Sequence, residues 1–513
     1  MSSPAILPPR RSLAGWAALA LAMVLFSYVL TVSLAAACVY FPWQLLTGIG
    51  FNLNVLILFV VGVLMAATML WSLIPRRDRF KPPGPLLTLP TQPRLFAEIQ
   101  KIAWALGEPV PEAVYLIPDA NAWVARRGGL LGFGGQRIMG LGLPLLEVLS
   151  VSEFRAVLAH EFGHYYGGDT RLGPWVYAAR MTMARTLVSI GSESPMLEAL
   201  GRIGVARLAH LLVVAILAGY WKLFMRATQL VSRRQEYRAD ELACAVAGSA
   251  ALSGGLRQIE GLSAVLPLFL QSAVKPALQA GCRVPLAAGF AQFAGVPEMA
   301  AAISKHVEQK LKTAKTQAYD SHPPLRDRLA AAQSYGGGEQ AVSQGRAATL
   351  FDGIDALEVQ LLQTLAPPGA NAADLRLVTW DRINSDVYLP LWRATVAGQS
   401  KVLAGLKVED VVRLALDARG IAAEMRDPPG RLLSRPQRLE AARGLLWTAF
   451  TVTLLDHGWR LCADPGGARL QRGEHVLDPN QLARETQSGK LTPNAWLARA
   501  AELGIGPLPL VGD

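Results

Sequence analysis

Between Ser12 and Pro75 the chain carries no Asp, Glu, Lys or Arg. An uncharged stretch of 64 residues cannot form the surface of a soluble domain, and it is about three times the roughly 20 residues that cross a bilayer as a helix. It predicts more than one span. Pro42, Gln44, Gly48, Gly50, Asn52 and Asn54 cluster in its middle, so it reads as two helices, over about 13–40 and 55–74, joined by a short loop. Tyr40, Phe41, Trp43 and Trp71 fall near the ends, where interfacial aromatics belong. A cleaved signal peptide is the competing reading, since Arg10 and Arg11 precede an apolar run and Ala35–Ala37 offers small residues. The first run, however, exceeds the roughly 7–15 residues of a signal core, and a second follows at once. Arg10 and Arg11 lie before the first span, Arg76, Arg77, Arg79 and Lys81 after the second, and the loop is uncharged. The positive-inside rule then places both termini in the cytoplasm, as in a bacterial inner-membrane protein.

The 513 residues are 51% hydrophobic and only 17% charged, which excludes disorder and a collagen-like chain. Cys38, Cys244, Cys282 and Cys462 form no CxxC pair, which argues against a disulfide framework or a cysteine metal site and for a reducing compartment. Fifty Lys+Arg against 39 Asp+Glu give a net charge of +11. With no basic run interleaved with aromatics, nucleic acid is not an expected partner; the lipid bilayer is.

Residues 1–80 thus read as a transmembrane hairpin, and the Pro-rich stretch 81–93 as a stiff linker. A folded domain is expected over 94–335. Helical spacing over 95–106 leads to a strand at 113–117, then to extended runs at 121–127 and 136–143 around the turn GGLLGFGG, and a nearly all-helical pattern follows to about 330. A Gly-rich break at 334–348 opens a mixed α/β C-terminal accessory domain, 349–513, through which partner proteins could bind. Its signals are amphipathic helices near 349–365, 408–419 and 434–453, a hairpin over 459–477 turning at Pro465-Gly466-Gly467, and a helix opened by Thr492-Pro493. The expected class is mainly α with a small antiparallel β-sheet.

The motif AHEFGH supplies His160, Glu161 and His164. Residues four apart on a helix share a face, so both imidazoles can hold one Zn²⁺ while Glu161 reaches a bound water. Ser150 and Glu153 form a helix-start signature two turns upstream. Gly163, Gly167 and Gly168 would let other backbone come close. A catalytic zinc needs a third protein ligand, and SRRQEYRADELA offers Glu236, with Asp240 one turn on as the acceptor that orients a ligand imidazole. On spacing alone Glu236 could equally be an exposed carboxylate beside Arg233 and Arg234.

Four ordered features over roughly 90–335 resemble the HtpX-like and CAAX-prenyl-endopeptidase family of integral-membrane zinc metallopeptidases. They are Asn121-Ala122 in DANAWVA, His160–His164, Glu236 and Asp240 after Ser232-Arg233, and His322-Pro323-Pro324 with Arg328 in SHPPLRDRL. The resemblance implies a zincin-like metalloprotease domain holding one Zn²⁺ per chain on His160, His164 and Glu236, with Glu161 as general base and Asn121 and His322 stabilising the transition state. Read alone, Asn121 could be a turn residue and His322 a neighbour of a helix start. Ala122, Trp123 and Val124 lie on the extended run where a polypeptide substrate could add as a strand.

Residues 208–221 form a 14-residue uncharged run between His164 and Glu236. Those two must meet at one metal, so 170–230 crosses the membrane either twice or not at all. Arg180 and Arg185, each costing about 2.5–3.5 kcal/mol at mid-bilayer, and the shortness of the run favour no crossing. The expectation is a membrane-anchored zinc endopeptidase with a cytoplasmic active site, acting in membrane-protein quality control. The alternative is an inactive zinc-stabilised scaffold or chaperone-like interaction protein.

Overall fold

The computed structural model describes residues 14–49, 52–74, 80–129, 135–166, 173–191, 204–312, 322–335, 345–366, 369, 371–427, 432–462 and 469–511. Gly167, Gly168, the turn Pro465-Gly466-Gly467 and the arginines flanking the N-terminal hairpin lie outside them. The chain divides into two compact units, Met1–Ser263 with Ser304–Leu357, and Ala264–Ile303 with Glu358–Asp513.

The first unit opens with α1 (Ala14–Ile49) and α2 (Leu53–Leu73), packed along each other. Helix α1 runs nine residues past the expected end at 40, straight through Pro42. Proline cannot donate to the carbonyl four residues back, that of Cys38. Gly62 of α2 faces this carbonyl, and a Cβ there would stand 1.9 Å from it, so the glycine lets the two helices close on the gap. Asn52 caps α2 through its side chain, which accepts from the N–H groups of Asn54 and Val55.

A four-stranded sheet follows, built from β1 (Leu86–Leu87), then, after α3 (Pro93–Leu106), β2 (Ala113–Ile117), β3 (Ala122–Arg127) and β4 (Gln136–Gly142). Their order is β1-β2-β4-β3. The two outer pairings are antiparallel, and the inner one, β2 with β4, is parallel. β3 pairs only with β4, which leaves it an edge among the described strands. Trp123 lies over Gly140 of β4, where a Cβ would stand 2.5 Å from the indole.

Helix α4 (Val151–Gly163) carries the HExxH motif. It starts at the expected capping box: Ser150 Oγ accepts from Glu153 N–H, and Glu153 accepts from Ser150 N–H at 2.8 Å. Then come α5 (Gly173–Ile190) and the 44-residue α6 (Gly204–Ala247). Residues 170–230 were expected not to cross the membrane, as a helix buried or lying against its surface. α5 and the first half of α6 pack lengthwise on α1 and α2, joining Ala35, Val61, Met65 and Met69 to Ile190, Val213 and Leu217 in one apolar cluster. The 14-residue run lies within the first half of this much longer helix. The arginines are accommodated locally, Arg180 by Thr228 Oγ1 at 2.9 Å, Arg185 by Thr182 Oγ1 at 2.9 Å and the Ser72 carbonyl at 3.3 Å.

By length and composition α1, α2 and α6 can cross a membrane, as can the continuous helical stretch Ser249–Gln279. Half of the apolar window of that last stretch is buried inside the protein. It begins with α7 (Ser249–Phe269), which packs Gly254 and Gly255 against Glu153 and Val157 of α4. Helix α8 (Leu325–Tyr335) returns to α6, and residues 345–352 run back along the start of α4. There Val151 N–H donates to the Gly345 carbonyl and Ala347 N–H to that of Leu149.

The second unit takes in residues 264–303, which the sequence placed within the domain before the break at 334–348. Phe269 and Phe293 pack on Trp380, Phe290 packs on Phe269, and the buried Glu358 accepts from the N–H groups of Leu286 and Ala287. Its remaining core surrounds the helix Arg435–Asp456, against which Trp496 is fully buried with Nε1–H donating to the Val408 carbonyl. A three-stranded antiparallel sheet, Arg460–Leu461, Leu470–Arg472 and His475–Leu477, forms where the hairpin was expected.

Candidate metal centre

The two long-separated motifs meet because α4 lies against the last turns of α6. Gly163 makes the approach possible: a Cβ there would stand 2.9 Å from the Ala239 Cα, so the residue serves helix contact rather than access to a metal. Across this contact His160 Nε2 lies 3.5 Å from Glu236 Oε2, and His164 Nε2 lies 3.6 Å from Glu236 Oε1. The three ligand atoms lie within 4.8 Å of one another.

The donor set can be tested against a metal. Nitrogen and oxygen ligands about 2.0–2.2 Å from a tetrahedral Zn²⁺ stand about 3.3–3.5 Å apart, close to the two spacings found. Glu236 Oε2 is buried and has no hydrogen-bond partner among the described residues. His322 Nδ1 stands 2.8 Å from it as an ion-pair neighbour. Two imidazoles and an unsatisfied carboxylate oxygen fit Zn²⁺.

Behind the ligands stands a second layer. Asp240, fully buried, places Oδ1 2.9 Å from His160 Nδ1, which leaves Nε2 as the nitrogen facing Glu236. Arg328 of α8 grips Asp240 with both arms of its guanidinium, Nε–H to Oδ2 at 2.9 Å and Nη2–H to Oδ1 at 2.7 Å. The sequence marked Arg328 as part of a motif without giving it a task. Nothing local separates it from Arg326 two positions earlier, whose side chain is half exposed and pairs with Asp327; only the docking of α8 on α6 does.

Burial works against a charged His160, but the hydrogen bond with Asp240 and the nearby Glu236 carboxylate outweigh it and raise its pKa to about 9. Burial, then the neighbouring His160, lower His164 to about 4. Burial raises Glu161 to about 7 against the pull of His160, while the Val124 N–H donates to its carboxylate. That hydrogen bond places edge strand β3, with Ala122, Trp123 and Val124, beside Glu161. Asn121, by contrast, is exposed at the head of β3 with its Oδ1 accepting from Ala122 N–H at 2.9 Å, and no contact among the described residues draws its side chain to the cluster. His322 is at the cluster and remains largely exposed.

Residues 90–335 match the family described as Peptidase family M48. The chain carries an HtpX-like M48 peptidase domain. It is 30% identical over 187 residues to "Protease HtpX" of Pseudomonas putida (strain W619), an overlap covering 34% of this chain and 62% of that protein. To "Protease HtpX" of Pseudomonas fluorescens (strain SBW25) it is 27% identical over 235 residues, covering 43% and 76%. To that of Idiomarina loihiensis it is 30% identical over 176 residues, covering 33% and 55%. The chain thus spans about three fifths of the length of the P. putida relative, and its second unit extends well beyond the matched region.

Proposed function

We propose that this protein is a membrane-anchored zinc endopeptidase whose active site opens to the cytoplasm. The observation that carries this reading is the convergence of His160, His164 and the donor-less Glu236 oxygen, with Glu161 and a free sheet edge alongside. A Zn²⁺ on these ligands would supply Lewis acidity and bring the pKa of a coordinated water toward about 7. Asp240, fixed by Arg328, would hold His160 in the tautomer that offers Nε2. Glu161 would accept the proton of the attacking water and return it to the leaving amine. A polypeptide adding to β3 would bond mainly through its backbone, which suits broad specificity and a task in membrane-protein quality control. His322 stands where it can donate to the carbonyl oxygen as charge develops, and Asn121 would share that role when substrate orders the head of β3.

Four helices, α1, α2, α5 and α6, would form the membrane part. The α5–α6 pair enters and returns, which keeps His164 and Glu236 on one side. With basic residues flanking the hairpin, that side is the cytoplasmic one.

Zinc content and casein cleavage, measured for wild type and Glu161→Gln in detergent, test the reading. Equal zinc with cleavage lost in the variant is expected. Equal cleavage would remove Glu161 as base, and no cleavage by either protein would favour the zinc-stabilised scaffold.

A further inference from the structure

In the bundle of α1, α2, α5 and α6, the charge is of one sign. No Asp or Glu occurs at 14–74, 173–190 or 204–235, whereas α5 carries Arg180 and Arg185, and α6 carries Arg207, Lys222 and Arg226 ahead of the metal-site turns. Those stretches offer Arg180 no carboxylate of their own.

Arg180 is the telling one. It is half-buried between α5 and α6, one arm donates to Thr228 Oγ1, and its Nε is buried without a hydrogen-bond partner among the described residues. A guanidinium stays charged and has five donors in a fixed fork, so a buried donor left unmade is costly. Its surroundings are apolar and aromatic: Val24, Ala179, Met183 and Phe224 are packed with Tyr28, Tyr220 and Trp221. Just outside, Phe26, Met181 and Leu223 are exposed.

The depth can be read from contacts. Arg185 touches the carbonyl of Ser72, in the last turn of α2 and close to Arg76, Arg77 and Arg79 in sequence. Arg180 lies five residues earlier on α5, roughly 7 Å further toward the cytoplasm at 1.5 Å per residue. Lys222 and Arg226, both exposed, lie within two turns of Thr228. The fork and the aromatic wall stand together, which on the membrane placement proposed above puts them at the level of the inner-leaflet headgroups.

We propose that the α5–α6 face around Arg180 binds the phosphodiester of an anionic phospholipid. The guanidinium takes the phosphate oxygens, and the exposed Phe26, Met181 and Leu223 lie along the acyl chains. The apolar wall favours a lipid over free phosphate. The inference rests on the membrane placement of the four helices given above.

The full chain is purified in detergent, and retained lipid is counted by native mass spectrometry with phosphatidylglycerol, phosphatidylcholine or inorganic phosphate added. Wild type is compared with Arg180→Gln, Arg180→Lys and the surface control Lys312→Gln. Phosphatidylglycerol should be retained by wild type and Lys312→Gln. It should bind about fivefold more weakly to Arg180→Gln, the change that about 1 kcal/mol per basic residue at an anionic surface corresponds to. Arg180→Lys, which keeps the charge and the fold without the fork, should fall between. Equal retention in all four proteins, equal retention of phosphatidylcholine, or displacement by millimolar phosphate would each overturn the proposal. Alkaline carbonate extraction of native membranes separates the two readings: release of the protein would refute the membrane placement itself, whereas an integral protein without lipid preference would refute only the site.

Discussion

Replacing Arg328 by Met tests how the metal site is braced. Asp240 is wholly buried, and each of its oxygens receives one guanidinium N–H, at 2.7 and 2.9 Å. Met keeps the length of the side chain and removes the charge. Breaking a buried ion pair from one side costs about 3–5 kcal/mol, because the other charge is stranded. His160 remains 2.9 Å from Asp240 Oδ1 and can recover part of this, so the lower end, about 3 kcal/mol, is expected. Domains of 150–250 residues shift in Tm by about 2–4 °C per kcal/mol and larger ones by less, which makes the fall in apparent Tm about 5 °C. Loss of a group that orients a ligand also costs about 10–100-fold in metal affinity, read by competition with a chelator. Adding Asp240→Asn to the Met variant removes the stranded charge while leaving an acceptor for His160, and should recover most of the lost Tm. A single Arg328→Met variant within 1 °C and threefold of wild type would show that the pair does not brace the site.

Two further outcomes follow from the packing. Glu98 on α3 is buried, and although burial alone would raise its pKa, hydrogen bonds from Arg155 of α4 and from Lys101 lower it. Its folded pKa lies below the unfolded one, so its contribution is present above the ordinary carboxylate range and is lost as pH falls through the folded value. The Tm gap between wild type and Glu98→Gln should therefore be open at pH 7 and close below roughly pH 4, and a gap that widens in acid would contradict this. Gly163→Ala would set a methyl group 2.9 Å from the Ala239 Cα, at a cost of about 1–3 kcal/mol for overpacking, and should weaken zinc binding by prising α4 from α6. Wild-type Tm and zinc affinity in that variant would argue against the close approach.

The sequence was most informative where chemistry and period coincide. The capping box at Ser150, the i, i+4 faces of His160/His164 and Glu236/Asp240, and the extents of β2, β3 and β4 follow from local rules, and the structure carries them within a residue or two. What it concealed depends on partners distant in the chain. The packing of α5 and α6 on α1 and α2 was not legible because Arg180 and Arg185 look prohibitive there until Thr228, Thr182 and the Ser72 carbonyl are brought to them. The parallel pairing of β2 with β4 was hidden because β3 intervenes in sequence but lies outside them in space. Arg328 acquires meaning only through Asp240, 88 residues earlier.

The most direct test of the metal centre is the zinc affinity of Glu236→Ala, measured by chelator competition on the full chain in detergent. A carboxylate supplying the third ligand predicts one zinc per wild-type chain and binding at least about 100-fold weaker in the variant. Unchanged affinity would mean that the two imidazoles hold the ion without α6, and the convergence of the two helices would have no part in catalysis.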